Sequence, residues 1–149
     1  MILNYTTSIS VQKTAGEIQE ILAKAGARSV VIDYGSDRLP VAISFQVMVQ
    51  NRLVSFRLPS QWQGVYKSLQ KSTAERKYKT EEQARRVAWR IIKDWCEAQL
   101  AIIEAEAADL SEVFLPYLVN PQTNRTLYQD FQSGYLLNTG ETIDGVVQA

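Results

Sequence analysis

The chain contains no histidine and one cysteine, Cys96. Without imidazole, the Ser-His and Cys-His routes to an activated nucleophile are closed, and so is the commonest zinc or iron ligand. Cys96 falls in an apolar row between Ile92 and Leu100, the setting of a buried, inert thiol. What remains for catalysis is carboxylate. Asp94, Glu97, Glu104, Glu106, Asp109 and Glu112 follow one another with no basic residue between them. Asp94 and Glu97 share a helical face, so a magnesium- or manganese-dependent nuclease assisted by Lys93 can be written down. A solvated acidic helix surface explains the same residues with fewer requirements. Neither GxGxxG nor GxxxxGK occurs, so no cofactor or phosphate loop is indicated.

The second chemical candidate is basic. From Lys67 to Lys93 nine basic residues stand against three acidic ones, interleaved with Tyr66, Tyr78 and Trp89. Cations beside aromatic rings hold phosphates and stack bases. Arg76, Lys77, Lys79, Arg85, Arg86, Trp89, Arg90 and Lys93 are therefore the candidate contacts to nucleic acid or another anion. The alternative is that these charges pair with the acidic half of the same helix in a second copy. Sixteen basic and sixteen acidic residues balance over 149 residues, so the electrostatic case is local.

These residues must be positioned by one element, Thr80 to Ala108, whose pattern predicts a long helix opened by Thr80 and Gln83 as a capping box. Ala84, Ala88, Ile91, Trp95, Ala98, Ile102 and Ala105 recur at spacings of four and three, a heptad seam. Trp89, Ile92, Cys96, Leu100 and Ile103 form a second row. Of these, Ile92, Cys96, Leu100 and Ile103 would supply the centre of a twofold interface in a homo-oligomer, most simply a dimer.

Upstream, alternation over residues 3 to 11 predicts a strand, and Thr14-Ala-Gly-Glu17 predicts the start of a helix ended by Gly26. Strands follow at Ser29 to Tyr34, Val41 to Val49 and Leu53 to Leu58, with a tight turn at Gln50-Asn51. Ser60 to Gln63 has capping-box form before a helix from Gln61 to Lys71. Ser111 could cap a short turn limited by Pro116, Asn120 to Asn124 reads as a turn, and Leu127, Tyr128 and Phe131 form a last apolar anchor. The expected fold is α+β: a mainly antiparallel sheet of about four strands with helices packed on one face, including one long C-terminal helix. Residues 1–131 form one domain and 132–149 a loosely attached or disordered tail. No run of apolar residues reaches membrane-span length, and the N-terminus lacks signal-peptide character, so a cytoplasmic protein with no membrane partner is expected.

Two resemblances bear on function. Thr14 to Lys71 has the helix, three-strand, helix order of a double-stranded-RNA-binding domain, although the start of Gln61–Lys71 lacks the basic cluster with which that family grips phosphate. RRVAWRIIKDWCEAQLAIIEAEAADLSEVFLPYLV, then RTLYQDF, with KTAGEIQEILAKAGARSVVIDY near the start, resembles a group of small bacteriophage and mobile-element proteins with no assigned activity. That resemblance implies an accessory protein that binds nucleic acid, or one that blocks a host defence by binding a host protein or signalling nucleotide. Binding therefore stands ahead of catalysis.

Overall fold

The computed structural model describes residues 1–134. The chain forms an α+β fold in which three antiparallel strands, β1 (Ser29–Tyr34), β2 (Pro40–Val49) and β3 (Arg52–Pro59), lie in the order β1-β2-β3. Register places Val30, Phe45 and Phe56 in one row and Ile32, Ile43 and Leu58 in the next, all on one face. Ile43, Phe45, Phe56 and Leu58 are buried, as period-two alternation requires. Gln50 and Asn51 both take positive φ, at 50° and 65°, and close the β2–β3 hairpin as a two-residue turn.

Among the described residues the sheet has three strands, not four. Residues 3–11 form no strand: Gln83 Nε2 donates to the carbonyls of Tyr5 and Thr7, both at 2.9 Å, and Asn4 donates to Asp94 at 2.8 Å. The segment thus lies against the long helix, where Ile2 and Tyr5 pack, rather than along a sheet edge. Helix α1 (Val11–Lys24) begins at Ser10, whose hydroxyl accepts from Lys13, and not at Thr14. Gly26 takes the left-handed conformation expected of it, at φ 106°.

Helix α2 (Trp62–Lys71) has no side-chain cap. Ser60 extends the sheet by donating its amide to Val41, which leaves its hydroxyl buried without a partner rather than at the helix start. A 3-10 turn at Arg76–Tyr78 leads to α3 (Glu81–Glu104), capped by Thr80. The capping box is only half formed, because the Gln83 amide reaches the N-terminal segment instead of Thr80. Helix α3 stops at Glu104 rather than Ala108. Glu106 adopts φ 58°, and the amides of Glu106 and Ala107 bond back to Ile103 and Ile102, a Schellman closure.

Nor is α3 the C-terminal element. It is followed by α4 (Leu110–Phe114), capped by Asp109 and not Ser111, and by a 3-10 turn at Leu115–Tyr117. A small hairpin of β4 (Val119–Asn120) and β5 (Arg125–Thr126) then leads to α5 (Leu127–Gln132), which opens with a complete Thr126–Gln129 capping box. The hairpin lies at the β3 edge, where Phe56 bridges to Leu118 and Arg57 donates to Asn124. The expected tail falls mostly on residues 135–149, outside the described residues.

Two apolar clusters result. The larger joins α1, the sheet's inner face, Trp89 and Cys96 of α3, and Phe114. The smaller joins Val65 and Leu69 of α2 to Ala84, Val87 and Ala88 of α3. The order α1-β1-β2-β3-α2 does match the RNA-binding domain, but α2 packs on α3, and α3 is the helix that meets α1. No helix among the described residues is long and apolar enough to cross a membrane.

Candidate functional site

Helix α3 has 24 residues and α2 has 10, or about 36 Å against about 15 Å. Connected by one turn, α2 can cover only the first part of the row that begins at Ala84. Ala84 and Ala88 are 0 % and 4 % exposed beneath it. Further along the same row, Ile91 still packs against the α2–α3 cluster and Trp95 against Phe114 and Tyr117, whereas Ala98 is exposed and Ile102 is 39 % exposed.

A groove of about 340 Å³ opens at this transition, lined by Leu58, Pro59, Gln61 and Val65 on one side and Ala88, Ile91, Ile92, Trp95 and Tyr117 on the other. Its walls are set from below. Trp95 meets Phe114 edge-on at 5.4 Å and Tyr117 at 5.6 Å, so its ring is held upright between α4 and the following turn. Leu115, 45 % exposed, lies next to them in the chain. The groove is apolar, with Gln61 and Tyr117 as its polar groups. It has the character of a site that holds an apolar surface rather than one that moves protons.

The basic residues are spent inside the molecule. Arg85 stacks over Trp62 with its guanidinium carbon 4.3 Å from the ring centroid, and Nη2 reaches Asp37 at 3.3 Å and Glu81 at 3.8 Å. Among the described residues its buried Nη1 has no hydrogen-bond acceptor, and the guanidinium lies over the Trp62 ring face. Arg86 donates to Gln83 Oε1 at 2.7 Å and pairs with Glu82 at 3.3 Å. Arg90 donates to Glu17 at 2.6 Å and to the Thr14 hydroxyl at 3.3 Å. Thr14 and Glu17, spaced for a capping box, instead form one face of α1 that receives Arg90. Lys93 pairs with Glu97 at 2.7 Å, and Lys79 bonds the carbonyls of Gln70 and Ser72 at the end of α2.

Trp89 is 0 % exposed and cannot stack a base; its indole N–H is buried without an acceptor. Arg85 and Arg86 do border a recess of about 510 Å³ with the start of α1, but Asp37, Glu81 and Glu82 border it too. Two guanidiniums facing three carboxylates leave no net attraction for an anion there. Of the eight residues named from sequence, only Arg76 and Lys77 lie open, Lys77 at 4.0 Å from Glu75.

The second row lies largely in the core. Cys96 is 1 % exposed, and burial pushes its thiol up to about 12, so the sulfur stays protonated and inert at neutral pH. Ile92 and Ile103 pack against the same core, and Leu100 is half-buried. Asp94 and Glu97 are engaged by Asn4 and Lys93, and among the described residues no three acidic or thiol groups cluster at metal-binding spacing.

The groove residues Pro59, Gln61 and Tyr117 were not legible as a site, because three separate segments bring them together. One signal pointed to it: a heptad row far longer than any neighbouring helix could cover. No protein-family model, curated protein or solved structure matches this chain.

Proposed function

We propose that this protein is a non-enzymatic binding module that docks a partner protein on the uncovered half of α3, in keeping with an accessory role of bacteriophage or mobile-element type. The observation that carries the reading is the exposure of Ala98 and Ile102, which continue the Ala84–Ala88 row past the apolar groove bordered by Ile91, Trp95 and Tyr117. A row that satisfies helix packing over its first half presents the same packing geometry over its second. The absence of histidine and the inert thiol favour binding over chemistry.

The test is a titration with an uncharged amphipathic helical peptide carrying leucine at positions i, i+3, i+4 and i+7, followed by amide NMR. Shifts should centre on Ile91, Trp95, Ala98, Ile102 and Tyr117 and disappear in the Trp95→Ser variant. No shifts, or shifts confined to another face, would overturn the reading.

A second reading, contact with nucleic acid, draws on Arg76 and Lys77, which lie in the chain just after the exposed Lys67 and Lys71. It requires Arg76→Ala with Lys77→Ala to weaken binding to single- or double-stranded oligonucleotides more than Arg86→Ala does. Equal loss, or no binding to begin with, sinks it.

A further inference from the structure

We infer that a second copy of this chain pairs antiparallel along the free edge of β1, which joins the two sheets into one and sets the two α1 helices side by side above it. This surface lies on the side of α1 away from α3 and does not depend on the docking reading above.

The two edges of the sheet differ. At β3, Phe56 bridges to Leu118 and Arg57 donates to Asn124, whereas β1 pairs with β2 alone among the described residues. The register fixes the direction of the hydrogen bonds. Ser60 donates its amide to Val41, so Val41, Ile43 and Phe45 bond towards β3, and Ala42, Ser44 and Gln46 bond towards Asp33, Val31 and Ser29. The main-chain N–H and C=O groups of Val30 and Ile32 are therefore left pointing outward, without partners among the described residues. Such a row is a template for another strand. The usual guards are missing. Ser29–Tyr34 has no lysine or proline, its one acid, Asp33, accepts from Ser44 at 3.1 Å, and its register shift falls at the last step, between Asp33 and Tyr34.

Self-complementarity selects the strand. About a twofold axis at Val31, Val30 lies opposite the copy's Ile32 on the inner face and Ser29 opposite the copy's Asp33 on the outer face. Val31, 54 % exposed in the single chain, meets itself.

The helix above fits the same axis. Helix α1 packs on β1 and β2 and turns Thr14, Glu17 and Ile21 towards α3. At about 3.6 residues per turn, the flank opposite α3, over the β1 edge, holds Gly16, Gln19 and Ala23. That flank is uncharged, since Lys13, Glu17, Glu20 and Lys24 lie on the other sides of the helix. Strands are spaced about 4.8 Å apart, so a helix seated over β1 and β2 lies about 5 Å from the axis and about 10 Å from its copy, the distance at which helices pack.

Sedimentation of the full chain over a range of concentrations should show a monomer–dimer equilibrium. Val31→Lys sets two ammonium groups against each other at the axis, and Gly16→Glu sets two carboxylates between the helices; each should weaken dimerisation on the order of tenfold or more. A Cβ at Gly16 would meet nothing within 4 Å, and glutamate forms helix better than glycine, so Gly16→Glu should leave the monomer at least as stable. Amide exchange reads the register: Val30 and Ile32 should exchange more slowly as protein concentration rises, while Val31, whose amide faces Ser44, stays protected throughout. A monomer at every concentration overturns the inference, as does free exchange at Val30 and Ile32 within a dimer. A dimer indifferent to Val31→Lys and Gly16→Glu but broken by Ile102→Ser would move the copy to α3 and overturn it as well.

Discussion

The two halves of α3 carry the same kind of row and meet opposite fates. In the first half, Ala84, Val87, Ala88 and Trp89 are buried between α2, α1 and the sheet, and each arginine from Arg85 to Arg90 has an intramolecular carboxylate. In the second half, Ala98, Ala101 and Ile102 are exposed, and Glu97 is paired with Lys93. The difference is not one of residue type, since alanine and tryptophan occur in both. It is one of coverage: α2 ends, Phe114 and Tyr117 take up Trp95, and Ala98 and Ile102 are left exposed. A basic stretch can therefore be electrostatically spent while an apolar stretch of the same helix is free.

Substitutions that separate the halves should differ in size. Trp89→Ala removes the largest fully buried side chain and should cost about 3–5 kcal/mol in urea unfolding. A loss below 1 kcal/mol would mean that the covered half is not the structural half.

Alkaline pH probes the same core. Because the Cys96 thiol is raised to about 12 from 9.0, the unfolded chain ionises first as pH rises. The contribution is fully present below pH 9 and lost at about 1.4 kcal/mol per pH unit between 9 and 12. Cys96→Ala should flatten that part of the pH–stability curve; an unchanged slope would place the thiol in water.

Arg90→Ala breaks the Glu17 and Thr14 contacts and should cost about 1.5–3 kcal/mol, and the 13 % exposure of the arginine side chain makes the effect only weakly salt-dependent. Glu106→Gly, which relieves a left-handed non-glycine residue at the end of the open half, should stabilise by about 0.5–1 kcal/mol. Ile102→Ser should move stability by no more than about 0.5 kcal/mol while weakening peptide docking. A large loss of stability at Ile102 would show that the row is structural throughout and erase the contrast between the halves.

Several elements were legible from local pattern. The β2 alternation, the Gln50-Asn51 turn, the left-handed Gly26 and the Thr80 cap each depend on neighbours a few residues away, and each is present. The failures share a cause. Residues 3–11 alternate as a strand does, but their carbonyls are taken by Gln83, far along the chain. Thr14 and Glu17 fit a cap, but Arg90 claims them on a helix face. Arg85 and Arg90 of the basic cluster likewise take partners, Asp37 and Glu17, that come from other elements.

By itself, the sequence determined the chemistry available and most of the periods: no imidazole, one thiol, the three strands of the sheet beside a fourth that did not form, and one helix with an unusually long apolar row. Only the tertiary structure decided which charges were spent and which part of that row was covered. Both outcomes depend on where separate elements end in space, and a hydrophobic period specifies which face is buried without specifying how far along the helix its neighbour reaches.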